Sequence, residues 1–168
     1  MIGAIITSNV RGKFEVCGYK RRKKNMIREY ENQDLSACAS IFKEAFSEEE
    51  WGCIWTQERA EAYISDFVIN PKFVGFVSEE DGVINGAVLA CKKVSWNADE
   101  IHIDELIVDP KNQRKGIGKQ LIEALKDYCK RNQLAGMVLY TAEEAPAKSF
   151  YDKNGFQVSD GVICMYWV

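Results

Sequence analysis

The sequence predicts an α/β (α+β) chain: a mixed, mostly antiparallel central sheet with helices on both faces. Three observations carry this. Strand-like runs at 73–77, 83–94 and 101–108 follow one another, with Asp81-Gly82 in the first gap and Asn97-Ala98-Asp99 in the second. Short turn signals between such runs make hairpins, and hairpins are antiparallel. The third run is followed by a helical period and another strand-like run at 137–141. A strand–helix–strand step needs a crossover, which makes that pair parallel. Amphipathic stretches flank the strands, and a sheet buries its two faces by packing helices on them.

Residues 27–31 form a short first strand. Leu35, Cys38, Ile41, Phe42 and Phe46 then recur at helical spacing. Thr56 is an N-cap for a second helix, with Ala60, Tyr63, Ile64 and Phe67 on its inner face and Pro71 beyond its end. After the three strands, Ile117, Leu121, Ile122, Leu125, Tyr128 and Cys129 mark a helix to about residue 131. Residues 145–154 make a short helix, with Pro146 near its start and Gly155 at its end. Residues 162–168 read as a last strand.

A chain of 168 residues suggests a single domain with a substantial core. No apolar run approaches the ~20 residues that span a bilayer, and the apolar start lacks a basic lead, so we expect a cytoplasmic protein without a membrane partner. The six cysteines (Cys17, Cys38, Cys53, Cys91, Cys129 and Cys164) are widely spaced and His102 is the one histidine, so we expect reduced thiols and no metal.

Charge is unevenly placed. Residues 1–25 hold seven bases and one acid, which leaves 15 bases and 24 acids in residues 26–168. The acidic domain disfavours nucleic acid and favours a cationic substrate. We expect residues 1–25 to be an N-terminal extension or translated leader and residues 26–168 to be one domain. Arg21-Arg22 can be encoded AGG-AGG, a ribosome-binding sequence a few codons ahead of Met26.

Chemistry concentrates between residues 101 and 125. A run rich in β-branched residues ends at Asp109-Pro110, and Gln113-Arg114-Lys115-Gly116-Ile117-Gly118 then leads into a helix. Glycines at a helix start let backbone approach a ligand, and the first N–H groups of the helix lack internal partners. That arrangement suits a phosphate or pyrophosphate. It is neither a Rossmann fingerprint, because Leu121 stands where a third glycine belongs, nor a P-loop.

Residues 113–118 resemble the Gln/Arg-x-x-Gly-x-Gly/Ala motif of the GNAT superfamily of acyl-CoA N-acyltransferases. Phe150-Tyr151-Asp152-Lys153-Asn154-Gly155-Phe156 is similar to a second segment of that family, Phe-Tyr-x-x-x-Gly-Phe. The two lie in the family's order, and the resemblance runs from about Met26 to the C-terminus. It implies a GNAT-like sheet whose fourth and fifth strands splay apart around acetyl-CoA. It further implies that main-chain groups of Leu106, Ile107 and Val108 pair with the pantetheine arm. Backbone N–H groups from Gln113 through Arg114, Lys115, Gly116, Ile117 and Gly118 to Lys119 would hold the pyrophosphate. Tyr151 matches the family's acid beside the coenzyme sulfur. Glu144 stands where the family often has an asparagine for the pantetheine.

For the base, strand alternation puts His102, Asp104, Leu106 and Val108 on one face and Ile101, Ile103, Glu105 and Ile107 on the other. A bulge in this strand would re-aim them. His102 has the suitable intrinsic pKa, and Asp104-Glu105 is similar to the paired acids of polyamine acetyltransferases. Glu50, Trp51 and Trp55 lie in the connection that lines the acceptor cleft of this fold, and aromatics with acids suit an amine or sugar-amine. We therefore expect direct transfer of an acetyl group to a small cationic amine, aminoglycoside-like or polyamine-like. The alternatives are a protein N-terminal or lysine acceptor and a non-catalytic acyl-CoA sensor. Dimerisation is common in the family, so the resemblance also admits a homodimer.

Overall fold

The computed structural model describes residues 25–46, 52–165 and 167. Among these, five strands form one sheet in the order β1-β2-β3-β4-β5. They are β1 Met26–Glu29, β2 Phe73–Glu80, β3 Val83–Lys93, β4 Glu100–Val108 and β5 Met137–Val138. The first four pair antiparallel and β4–β5 is parallel, as the hairpins and the crossover require. Asp81 (φ 52°) and Gly82 (φ 79°) both take left-handed backbone at the β2–β3 turn, the conformation whose twist suits a two-residue hairpin.

Four α-helices are described: α1 Leu35–Ala45, α2 Gln57–Val68, α3 Ile117–Arg131 and α4 Pro146–Lys153. The Thr56 hydroxyl caps α2 by accepting from the Arg59 amide at 3.2 Å. Alternation along the strands sorts the core into two layers. Val74, Phe76, Val88 and Ala90 pack with Ile117, Leu121, Ile122 and Leu125 of α3. Val77, Ala87 and Leu89 pack with Cys38, Ala39, Ile41 and Phe42 of α1 and with Ala60 and Ile64 of α2. The sheet thus has helices on both faces.

Entry into α1 is fixed by charge. The Arg28 guanidinium donates to both Asp34 oxygens (2.7 and 2.8 Å) and to Glu79 at 2.8 Å, tying β1, β2 and the turn before α1 together. Burial alone would raise the Asp34 carboxyl; the Arg28 bonds and the Glu31 amide outweigh it and hold it below the ordinary carboxylate range.

Two strand expectations need correction. The run at 137–141 is a strand over Met137–Val138 alone, meeting β4 at Ile101 and His102. Beyond them β5 diverges from β4, so no ladder continues. Residues 162–165 and 167 form no strand; Ile163 and Trp167 are 78% and 96% exposed. An apolar run has a strand's composition, but a strand also needs a neighbouring edge with which to pair. Leu121 is wholly buried among β2, β3 and α3 side chains. Leu121→Ala should lower unfolding free energy by about 2–5 kcal/mol in urea denaturation, because the cavity forms in a packed layer.

Candidate active site

β4 carries one residue too many for its partner. Leu89 faces Glu105 and the next residue of β3, Ala90, faces Ile103, which leaves Asp104 without a partner. This is a β-bulge, and it reverses the strand's alternation. Ahead of it Ile101 and Ile103 face the α3 layer; after it Leu106 and Val108 do. Ile107 faces the α1–α2 layer. The plain alternation of residues 101–108 is therefore wrong in its second half. Glu105 does not share a face with Ile101 and Ile103; it joins Ile107 on the side of α1 and α2.

The bulge separates the three candidate bases. Asp104 is exposed on it; partial burial raises its carboxyl, against the pull of Lys93 and His102. His102 lies near the start of β4, where its Nε2 meets Glu100 Oε1 at 2.9 Å. Glu105 points inward. Its Oε1 accepts from the Tyr63 hydroxyl of α2 at 2.6 Å. Burial raises the Glu105 carboxyl above the ordinary carboxylate range, the Tyr63 bond pulls it back, and the Asp104 charge pushes it up further. Tyr151, on α4, packs edge-on against Phe150 and Phe156. Burial pushes its phenol up to about 12, and the Glu105 charge adds to this. Glu105, Tyr63 and Tyr151 thus form one electrostatic group drawn from β4, α2 and α4.

Tyr63 was missed as a site residue because its helical position reads as core. The one available signal was a hydroxyl on an otherwise apolar helix face. Trp55 sits against Phe42 (4.9 Å, edge-on) and Tyr63 (5.4 Å), so it packs in the aromatic layer that also holds Tyr63. Glu50 and Trp51 lie outside the described residues.

The glycine loop has two distinct needs. Gly116 is the N-cap of α3 at φ 86°, a left-handed conformation that costs any side-chain-bearing residue energy. Gly118 is set by space: a Cβ there would sit 3.3 Å from the Phe150 ring and 3.8 Å from Val108. The first helical bond runs from the Gln120 amide to the Gly116 carbonyl, so the amides of Ile117, Gly118 and Lys119 precede it. The Ile117 side chain itself is core. Gln113 reaches back to the Val108 carbonyl at 3.4 Å. Arg114 (φ 61°) and Lys119 are exposed. Lys115 spends its ammonium inside the loop, on the Lys111 carbonyl (3.0 Å) and Asn112 Oδ1 (2.8 Å). Its side chain braces the loop rather than reaching outward.

Residues 71–158, just over half of the chain, match the acetyltransferase (GNAT) domain family. The chain belongs to the GNAT acetyltransferases. It is 29% identical over 140 residues to the uncharacterised N-acetyltransferase YhfO of Bacillus subtilis (strain 168), covering 82% of this chain and 93% of that protein. The fold is shared with a possible acetyltransferase from Clostridium difficile 630 (TM-score 0.74, 22% identity, 86% of this chain and 97% of the other). It is shared also with the aminoglycoside N-acetyltransferase AAC(6')-Iy in complex with CoA (TM-score 0.70, 18% identity, 88% and 97%).

GNAT acetyltransferases use acetyl-CoA, and the residues present fit it. β4 loses its β5 partner after His102, which leaves Leu106 and Ile107 without a strand on that side, while the Val108 carbonyl accepts from Gln113. The side-chain-free surface at Gly118 lies beside Val108 and Phe150, one residue before Tyr151. The β4 edge and the start of α3 therefore lie side by side, with Phe150 packed against them.

Two outcomes follow from this geometry. Gly116→Ala should cost about 1–2 kcal/mol of stability in guanidinium unfolding, and should weaken acetyl-CoA binding by calorimetric titration. Glu105→Gln should stabilise the fold at neutral pH. A carboxyl raised in the folded state contributes stability below its unfolded pKa and loses it as pH rises through the folded value. At pH 7 wild type thus carries the cost of a buried charge that glutamine lacks. The variant's melting temperature should exceed wild type at pH 7, and the gap should shrink towards pH 4.

Proposed function

We infer that this chain transfers an acetyl group directly to a primary amine of a small cationic molecule, aminoglycoside-like or polyamine-like. The observation that carries the reading is the placing of Glu105: a half-buried carboxylate bound to the Tyr63 hydroxyl beside the Tyr63–Trp55 aromatic layer, whose charge raises the Tyr151 phenol. A carboxylate beside aromatic faces favours an ammonium by charge and by cation–π attraction. Asp104 adds a second acidic group on the bulge, open to solvent. The excess of acids in residues 26–168 extends the same preference over the surface. The aminoglycoside acceptor named for AAC(6')-Iy, which shares the fold, agrees in class.

The roles follow from the environments. Glu105 draws in the ammonium and accepts its proton, directly or through water. Its raised carboxyl makes it a stronger base than a free glutamate. Tyr151 holds its proton throughout that range, because burial keeps the phenol neutral, and it can therefore donate to a departing thiolate. Acetyl-CoA, when bound, supplies the acetyl group as a thioester. The amides at the start of α3 would hold its pyrophosphate, and the open edge of β4 would orient its arm. His102, paired with Glu100 two residues before the bulge, is assigned no part in proton transfer.

The reading is tested by thiol release from acetyl-CoA with a panel of aminoglycosides, spermidine, amino acids and short peptides. Release should depend on a small cationic amine and fall about 10²-fold or more in Tyr151→Phe and in Glu105→Gln. Turnover on peptides alone would shift the acceptor to protein amines. Binding without turnover would support a sensor.

A further inference from the structure

The Tyr63 ring is held on three sides. Phe42 lies 4.9 Å away, Phe67 meets it edge-on at 4.9 Å, and Trp55 stands at 5.4 Å. A phenylalanine would satisfy this packing. The hydroxyl is the surplus, and it donates to Glu105 Oε1 at 2.6 Å, the length of a charge-assisted O–H···O⁻ bond. The contact joins residues 42 apart in the chain and bridges α2 to the residue just past the bulge. A ring clamped by three neighbours holds its hydroxyl in one direction, so the carboxylate it binds is held as well.

We propose that Tyr63 is a positioning residue for acetyl transfer: its hydroxyl fixes one oxygen of Glu105 and leaves the other for the acceptor ammonium. This rests on the reading of Glu105 as the amine-binding base. The titratable groups facing Glu105 are Tyr63 from α2, Asp104 beside it on β4, and Tyr151 from α4; across the sheet its β3 partner is the apolar Leu89. Burial and Asp104 favour the protonated acid, and Tyr63 alone among these opposes them. Tyr63 therefore governs both where the carboxylate points and the pH at which it becomes available.

The experiment compares wild type, Tyr63→Phe and Glu105→Gln with spermidine and kanamycin as acceptors, over pH 5–9. Loss of the hydroxyl should move the acidic limb of kcat/KM upward by about one pH unit. KM for the amine should rise, and KM for acetyl-CoA should stay the same. Carbon-13 NMR of the labelled Glu105 carboxyl should show the same upward shift; it is read on the folded protein and needs no acceptor. A purely structural tyrosine would lower the melting temperature and leave both the limb and the carboxyl titration unmoved. That result, with Glu105→Gln inactive, overturns the role of Tyr63 alone. Wild-type kcat/KM in Glu105→Gln overturns the underlying reading and the positioning role with it.

Discussion

One unpaired residue in β4, Asp104, decides which side chains the strand presents to each layer of the fold. Without the bulge, Glu105 would lie on the α3 side with Ile101 and Ile103, in the most apolar part of the core. With it, the same carboxylate meets α2, and Leu106 and Val108 take over the packing against α3. The strand can thus be hydrophobic for most of its length and still deliver one charge to the opposite side. Bulges are found where a side chain must be re-aimed, and here the re-aimed residue is the one that Tyr63 binds.

The second constraint is the parting of β4 and β5. Two paired positions are enough to set the strands parallel and to anchor the crossover through α3. Past them the sheet gives up ladder bonds, a cost borne elsewhere by the two well-packed layers. The exposed main chain left behind is what an extended ligand needs. The helix that starts at Ile117 opens at the same end of β4, with Gly118 beside Val108, and in our proposal strand edge and helix amides serve a single molecule.

Much of this was legible in the residues. The hairpins could be read from Asp81-Gly82 and from the gap at 94–99, the parallel step from the helix between two strand-like runs, and the cofactor class from Gly116 and Gly118 with Tyr151 downstream. These are local signals, or pairs of them in a fixed order. What escaped depends on pairing between distant segments. Alternation assigns faces correctly only when the ladder is regular, and nothing in 101–108 marks Asp104 as the extra residue. Tyr63 looks like core because most of its side chain is an apolar ring, and its hydroxyl's partner is far away in the chain. The Lys115 side chain is likewise spoken for locally, since nearby carbonyl oxygens claim its ammonium. The run at 162–168 shows the reverse error: composition suggested an element, yet residues 162–165 and 167 pair with no strand.

The contact between Gly118 and Phe150 has a consequence of its own. The two motifs lie some thirty residues apart in sequence, yet they meet as one packed surface, with no room for a methyl group between them without movement. The helix that begins at Gly116 and the helix that carries Tyr151 therefore share a steric boundary. Volume gained at position 118 must be surrendered at position 150, so changes at the two sites are coupled and their energies do not add. Any divergence of this chain towards a bulkier or differently shaped donor has to pass through that pair together.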